Sequence, residues 1–438
     1  MTQMLKTAVL VAAICCALHA DDRRVDKAHL TIMSFNAEFL WDGKAPEDGS
    51  SQVQFPWRDS PAEAEEHMAK IAQVIIQGNP DIVMLVEVEG PDALNQLNDD
   101  FLAGRGYRTY FVQGKDTFTG QDVALLSRID PLNIPIGRTD ALGESGGIMK
   151  SVTKNLFADF AIGGSQVSII GLHLLANPSS QSRKLDREAQ ADAIRQLARQ
   201  KRQAGFELAV MGDFNDYDPD EDSRDHRDSM PISNVLRIIK EMGTLTADDD
   251  LVNVARFIPK VSRFTSHFDQ DDDQHVDEPD ELTSIDHILL SQGLTEKVDF
   301  ATILHDHDPT QVSDHFPVVV RLRLADGVSP DGVRMTRLLP NPAGDEQVNE
   351  EVTLKNFANA PASLTGWKLR DLAKTTWSLD AIGTLAAGEE RIVRRNGQAM
   401  AMTNRGDTID LVDSNGAVVQ SVTYPSMPEG EEVLAHTH

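Results

Sequence analysis

The 438-residue chain reads as an α/β protein in which two packed sheets carry helices on their outer faces, followed by a separate all-β sandwich. Three observations predict this. Helix-like and strand-like segments alternate from residue 29 to about residue 325. The stretch ADGVSPDGV, from Ala325, then interrupts the pattern with Gly, Pro and Asp. Beyond it come short strand-like runs and turn pairs, with no convincing helix. The length also favours two cores over one.

The first strand is expected at Leu30 to Phe35. Ser60, Pro61 and Glu63 read as a capping box that opens a helix running to about Gln77. Met68, Ile71, Ala72 and Ile75 recur on one face of it, and Gly78 can end it. The run DIVMLVEV that follows is nearly all apolar, as a strand buried on both faces must be. Further strands are expected at Val123 to Ser127, Asn155 to Ile162, Val167 to His173, Leu208 to Asp213, Ile285 to Ser291 and Phe316 to Leu324. A long polar helix is expected from Arg183 to Arg202. After a linker at 326–331, EVTLKNF, GWKLRD, GDTIDLVD and NGAVVQSVTY read as short strands, with Asn415-Gly416 as a hairpin turn. Residues 332–432 therefore form their own sandwich.

The N-terminus, MTQMLKTAVLVAAICCALHA, has a positive start at Lys6, an apolar stretch from Thr7 to Leu18 that is too short to span a bilayer, and a small residue at Ala20. Residues 1–20 read as a signal peptide, which makes the product secreted or periplasmic. Both cysteines, Cys15 and Cys16, lie in that segment, so the mature chain has no disulfide to rely on. No later apolar run is long enough to cross a membrane, and stable membrane insertion is not expected. Nothing in the sequence indicates a protein partner.

The net charge is −28, and the acidity belongs to the first domain: 31 Lys and Arg against 55 Asp and Glu up to residue 331. Such a surface repels phosphate polyanions at long range. A phosphate substrate must then be drawn by local cations, either side chains or bound metal. A basic helix face at Arg195, Arg199 and Arg202 is one source, and a merely solvated helix is the alternative. Two stretches, residues 213–228 and 266–281, carry eight acids each. They read as solvated loops or as a structural Ca²⁺ site, although neither has the EF-hand pattern. His226, His267, His275, His305 and His307 read as loop residues, with the HDHD pair at 305–308 the one to watch.

Chemistry concentrates where apolar strands end. SFNAEFL, VEVEG, GLHLLANP, MGDFND, SIDHILLS and VSDHFPVVV each run hydrophobic and then present Asn, Glu, His or Asp. Strand ends meet at one rim of a sheet sandwich, so these residues can converge. In this order and spacing the six stretches resemble the endonuclease/exonuclease/phosphatase family, which includes deoxyribonuclease I, exonuclease III and the neutral sphingomyelinases. The resemblance covers residues 29–325 and implies a four-layer α/β/β/α sandwich of the deoxyribonuclease I type.

Position by position, the resemblance implies that Asn36 and Glu87 bind a divalent metal, Mg²⁺ or Mn²⁺ by the hardness of their oxygens. It implies that Asp213 orients or deprotonates the attacking water and that Asn215 donates to the phosphate. Asp286 is then a further metal ligand or a group that orients a histidine. His315 is a general base or phosphate contact held in its tautomer by Asp314, and His173 is a second histidine of the deoxyribonuclease I and sphingomyelinase branches. Lys154 and Arg263 stand where the family has substrate-contacting residues; Lys154 replaces an Arg, which weakens a phosphate clamp there. A metal and two imidazoles can stabilise the negative charge that builds up in phosphodiester hydrolysis.

Residues 332–432 resemble a lamin-tail domain, on EVTLKNFANAPASLTGWKLRD, the tryptophan in WSL, LAAGEE and NRGDTIDLVDSNG. Trp367 and Trp377 read as core packing, and the RGD at Arg405 to Asp407 as a chance tripeptide. Such domains accompany secreted nucleases, an analogy that tilts the substrate toward nucleic acid. The first reading is thus an extracellular endonuclease acting on DNA or RNA. A sphingomyelinase-like lipid phosphodiesterase is the second; only 5% of residues are aromatic, which speaks against a membrane-contacting surface. A non-catalytic binding or adhesion protein is the third, opposed by the completeness of the residue set.

Overall fold

The computed structural model describes residues 21–44, 53–55, 57–221, 231–243, 250–269, 275–276, 281–324, 332–358, 360–425, 427 and 429–434. The expected signal peptide, the linker 326–331, His226 and much of both acid-rich stretches lie outside the described residues.

The first domain runs through β1 (His29–Leu40), α1 (Pro61–Gly78), β2 (Ile82–Val88), α2 (Pro91–Gln96), β3 (Arg108–Phe111), β4 (Asp122–Ser127), the hairpin β5 (Gly143–Ser145) and β6 (Ile148–Lys150), β7 (Lys154–Ile162), β8 (Ser165–His173), α3 (Lys184–Gln203), β9 (Glu207–Asp213), α4 (Val235–Lys240), β10 (Val252–Asn253), β11 (Ser266–His267), β12 (Leu282–Thr283), β13 (Asp286–Leu290), α5 (Gln292–Thr295), β14 (Val298–Ile303) and β15 (Val318–Arg323). The strands expected from the sequence are all present, but β1 continues past Phe35 to Leu40. It does so because parallel pairing with β2 resumes at Leu40↔Val88 after an irregularity.

One sheet has the order β14-β15-β1-β2-β4-β3 and the other β10-β13-β9-β8-β7. Strand alternation explains how they pack. Leu30 and Ile32 of β1, Ile82 and Met84 of β2 and Val123 and Leu125 of β4 face inward. They meet Leu156, Ile169, Met211 and Ile288 of the second sheet. At Gly171 of β8 a Cβ would lie 2.2 Å from the Met84 sulfur, so glycine is required for this approach. The opposite parity faces outward. Met33, Phe35, Val83 and Leu85 bury against Met68, Ile71 and Ile75 of α1. Ile170, Leu172, Leu208 and Val210 bury against Ile194, Leu197 and Ala198 of α3 and against Leu236 and Ile239 of α4. The result is the four-layer α/β/β/α sandwich.

Two local expectations are corrected. Ser60 is the N-cap of α1, in extended conformation with Pro61 following, but its side chain makes no capping hydrogen bond, so the capping box does not form. The helix ends one residue later than expected, with Asn79 in the left-handed conformation (φ 42°) donating its N–H to the Ile75 carbonyl; asparagine tolerates that region. The basic face of α3 is also not free. Arg195 pairs with Asp192, Arg199 donates to the Met242 carbonyl, and Arg202 pairs with Glu207 at 3.0 Å.

The second domain comprises β16 (Val333–Leu339), one helical turn α6 (Glu346–Asn349), β17 (Glu351–Asn356), β18 (Ala362–Ser363), β19 (Lys368–Arg370), β20 (Thr376–Ser378), β21 (Thr384–Leu385), β22 (Glu390–Arg394), β23 (Gly406–Val412), β24 (Val418–Pro425) and β25 (Val433–Leu434). The helical turn, capped by Asp345, was not legible because four residues carry no periodicity. Sheets β22-β17-β16-β25 and β20-β19-β23-β24 enclose Leu354, Leu369, Trp377, Ile409 and Leu411. Trp377 is fully buried and Trp367 packs against the same core. Gly416 (φ 86°) makes the expected turn between β23 and β24. Asp407 of the RGD tripeptide is buried and accepts from the Thr408 N–H.

Candidate active site

The inward parity of each central strand continues past the hydrophobic core to its end. On β1 it runs from Leu30 and Ile32 to Asn36; on β8 from Ile169 to His173; on β9 from Met211 to Asp213; on β13 from Ile288 back to Asp286. Antiparallel pairing sets Asp286 opposite Asp213, and parallel pairing sets His173 beside Asp213. The polar residues therefore complete the inter-sheet layer at one rim, where the core stops.

Their contacts form one connected cluster. The Asn36 amide nitrogen lies 3.3 Å from Oε1 of Glu87, 3.3 Å from Oδ2 of Asp213 and 3.4 Å from Nε2 of His315. His173 Nε2 lies 3.6 Å from the same Asp213 oxygen. The other Asp213 oxygen accepts the N–H of Asn215 at 2.8 Å, and the Asn215 side chain donates to the Leu174 carbonyl at 3.2 Å. His315 Nδ1 is 2.7 Å from Oδ2 of Asp286. This corrects the expectation that Asp314 fixes the tautomer. Asp314 Oδ1 is 3.8 Å from Nε2, on the other side of the ring. The reason is register: β11 pairs Ser266 with His315, and the Thr265 hydroxyl accepts the N–H groups of Ile285 and Asp286, which presents the Asp286 carboxylate to the ring.

Three side chains that the sequence reading passed over join the site. Glu38 shares the parity of Asn36, and its Oε2 accepts the Asp314 N–H at 3.1 Å. Period-2 spacing within SFNAEFL was the signal that could have found it. Gln121, at the start of the β4 segment, donates to Oε2 of Glu87 at 2.6 Å. The Ser313 hydroxyl donates to the Asn36 carbonyl at 2.8 Å and accepts the His315 N–H at 3.1 Å.

Backbone strain gathers here. Glu38 (φ 44°), Phe39 (φ 56°), Glu87 (φ 66°) and Asn215 (φ 49°) all adopt the left-handed region, which non-glycine residues avoid unless their surroundings enforce it. Glu87 has outward parity on β2, and the register irregularity between Val86 and Val88 turns it into the site. The Glu38–Phe39 corner is held from outside: Phe39 stacks on Phe55 with centroids 4.4 Å apart, and Trp57 Nε1 donates to the Phe39 carbonyl at 2.7 Å.

The electrostatics are dominated by crowded carboxylates. Burial, then the charge of Asp286, pushes Asp213 up to about 8; burial, then Asp314, pushes Glu38 up to about 8. Burial and Asp314 likewise raise Glu87. Asp314 is raised by burial too, though 45% of its side chain remains exposed and solvent screens it. Burial opposes the charge on His315, but Asp286 and then Asp314 override it and hold the imidazole well above its usual range. Burial, then positive Lys154 and His315, keeps His173 neutral. Oδ1 of Asp286 is buried and meets no hydrogen-bond partner among the described residues. Asp213, Asp286 and His315 present ligand atoms within 4.8 Å of one another, and Glu38, Glu87 and Asp314 add three more carboxylates beside them. Such an excess of hard oxygen donors fits a divalent cation.

The two expected substrate contacts are otherwise engaged. Lys154 is buried, paired with Asp116 at 3.0 Å and donating to Gln121 at 3.0 Å, so it supports Glu87 through Gln121. Arg263 is buried, donates to the Ile258 carbonyl at 2.8 Å and lies 3.5 Å from Glu221. In the first acid-rich stretch, Asp218 and Asp220 grip Lys240 at 2.7 and 2.5 Å, and Asp216 accepts from Ser233 and Val235. These three carboxylates have protein partners and do not form the open oxygen cage that Ca²⁺ takes. His305 and His307 bond the carbonyls of Phe264 and Ser313, so they brace the loop before Asp314.

The profile of the endonuclease/exonuclease/phosphatase family matches residues 33–315, and that of the lamin tail domain matches residues 329–426. No match was found among curated proteins. Similar solved structures include the endonuclease/exonuclease/phosphatase from Beutenbergia cavernae (18% identity, 91% of this chain and 100% of that one, TM-score 0.43). A truncated Caenorhabditis elegans TDP2 is 18% identical, over 67% of this chain and 98% of that one, with a TM-score of 0.41. The 3′ phosphatase NExo from Neisseria, bound to product DNA hairpin, is 17% identical, over 67% of this chain and 99% of that one, with a TM-score of 0.43.

Proposed function

Because the chain belongs to the endonuclease/exonuclease/phosphatase family, a family of phosphate-ester hydrolases, we propose that it is an exported, divalent-metal-dependent nuclease that cleaves phosphodiesters within DNA or RNA. The observation that carries this reading is the convergence of Asn36, Asp213 and His315 within 3.4 Å contacts, backed by Asp286.

Glu87, with Glu38 and Asp314 beside it, would hold the metal, Mg²⁺ or Mn²⁺ by donor type. When bound, it supplies charge to the phosphoryl oxygens. The chain's own residues do the rest. Asp213, held by the Asn215 N–H and by Asn36, accepts a proton from the attacking water. Asp286 fixes His315 Nδ1, which leaves Nε2 directed at the reacting centre as a hydrogen-bond donor to the phosphate. His173, neutral beside Asp213, can donate from Nε2 to a second phosphoryl oxygen. Gln121 and Lys154 keep Glu87 in place. Export rests on the leader-like residues 1–20.

The test is incubation of the mature protein with plasmid DNA, RNA and sphingomyelin vesicles, each with Mg²⁺, with Mn²⁺ and with EDTA, beside His315→Ala. Nucleic-acid cleavage that needs metal and is lost in the variant is expected. Lipid turnover without nucleic-acid cleavage overturns the substrate assignment. Inactivity on all three substrates overturns the enzymatic reading. Export is checked separately by fractionating cells that express the full chain and sequencing the N-terminus of the exported product.

A further inference from the structure

We propose that Phe118 and Phe268 are base-stacking residues that hold a single nucleic-acid strand across the catalytic cluster from its two sides; this rests on the nuclease reading above. Among the described residues these are the most exposed aromatic side chains, each at 62%. One exposed phenylalanine is ordinary. Two, each fixed by backbone contacts to a different wall of the same site, are not.

Phe118 lies in the loop between β3 and β4. Asp116 accepts the N–H groups of Phe118 and Thr119 at 2.9 and 3.2 Å, and the same carboxylate pairs with Lys154, which reaches Glu87 through Gln121. Phe268 follows β11 directly. Its N–H donates to the Glu281 carbonyl, and that of His267 donates to the Asp314 carbonyl at 2.7 Å. In the sheet order β14-β15-β1-β2-β4-β3, the loop before β4 and the segment joined to the start of β15 stand on opposite sides of the β1–β2 pair that carries Asn36 and Glu87.

The charge distribution says why rings are needed. Three lysines on the Phe118 side are paired: Lys115 with Asp140, Lys150 with Asp186 and Lys154 with Asp116. An acid-rich run follows Phe268. Among the described residues, therefore, no basic track that grips phosphates through counterion release is seen beside Phe118. Base stacking does not depend on such a track, and every base offers a face to it. Bases must be unpaired to present their faces, so the occupant is a single strand or a melted end.

The experiment uses the full mature chain, with Phe118→Ala, Phe268→Ala, the double variant and Phe118→Trp. The substrates are single-stranded DNA and RNA oligonucleotides, duplex DNA, bis(4-nitrophenyl) phosphate and sphingomyelin vesicles. Each alanine variant should raise KM for single strands about tenfold, with kcat and hydrolysis of the small ester unchanged and Phe118→Trp close to the parent. In EDTA, quenching of a 2-aminopurine oligonucleotide should be seen with the parent and lost in the double variant. Raising salt should weaken oligonucleotide binding only shallowly. Variants that hydrolyse the small ester normally and show parental KM and quenching overturn the proposal while the nuclease reading stands. A loss confined to vesicle turnover overturns it in favour of a lipid contact. If the parent cleaves the small ester but no nucleic acid, both readings fall together.

Discussion

Oδ2 of Asp286, at the start of β13, lies 2.7 Å from Nδ1 of His315, in the segment that leads into β15 of the other sheet, 29 positions apart in the chain. A carboxylate there stabilises the proton on Nδ1 and turns Nε2 toward Asn36 and Asp213.

Replacing Asp286 with Asn keeps the shape but removes the negative charge that keeps the His315 imidazole protonated on both nitrogens, so the ring loses the positive charge it offers the phosphate. We expect kcat to fall about 10²–10⁴-fold with KM little changed. Steady-state kinetics on an oligonucleotide checks this, and an unchanged kcat would remove His315 from the chemistry.

Glu38→Gln should separate stability from metal binding. Without metal, burial and the neighbouring Asp314 force Glu38 to take up a proton on folding, its carboxyl being raised to about 8. Gln needs no proton, so the variant should raise the melting temperature in EDTA at neutral pH by roughly 2–4 °C, the shift that about 1 kcal/mol produces in a domain of this size. The metal concentration needed for half-maximal stabilisation should rise by on the order of tenfold or more. Thermal melts across a Mn²⁺ titration measure both. A lower melting temperature in EDTA would mean that burying the Glu38 carboxyl costs the fold nothing.

Lys240 is buried between Asp218 and Asp220 and is the cation that neutralises them. Lys240→Met leaves the Asp218 charge enclosed without its partner, at a cost of about 3–5 kcal/mol. Adding Asp218→Asn should recover part of the loss. Urea unfolding gives the values. A Lys240→Met chain as stable as the parent would mean the loop rearranges.

His67 stacks on Trp57 at 4.1 Å and bonds the Ala37 carbonyl at 2.9 Å, and burial lowers its pKa to about 4. The folded chain thus binds the proton less readily than the unfolded one. Its contribution is complete above the ordinary histidine value near 6.5 and is lost as the pH falls from there toward 4, on the order of 3 kcal/mol in all. His67→Gln should flatten the stability profile over that window. Urea midpoints measured from pH 7 to 4 decide it, and an unchanged slope would assign the acid loss to other groups.

The motif residues were legible because each sits where an apolar run ends, and a strand's alternating parity carries its inward row straight into a polar position: Asn36 after Leu30 and Ile32, Asp213 after Ala209 and Met211, His173 after Ile169. Glu38 obeyed the same rule and was visible in principle. Glu87 did not: its parity points outward, and only the irregular pairing of β2 and its left-handed backbone turn it in. The engagement of Lys154 with Asp116, and of Lys240 with Asp218, could not be read from spacing, since those partners are 38 and 22 positions apart.

The sequence by itself indicated the two-domain division, the central strands, the helices α1 and α3, and the identity of the groups at the strand ends, because hydrophobic periodicity and turn chemistry are local properties of the chain. The tertiary structure decided which of those groups touch. Asp286 rather than Asp314 holds His315 at Nδ1, Glu38 joins the carboxylate cluster, and Arg195, Arg199 and Arg202 of α3 are taken up by internal partners. Such choices follow from strand register between distant segments and from the cost of leaving a buried charge unpaired, and neither is written in any one stretch of sequence.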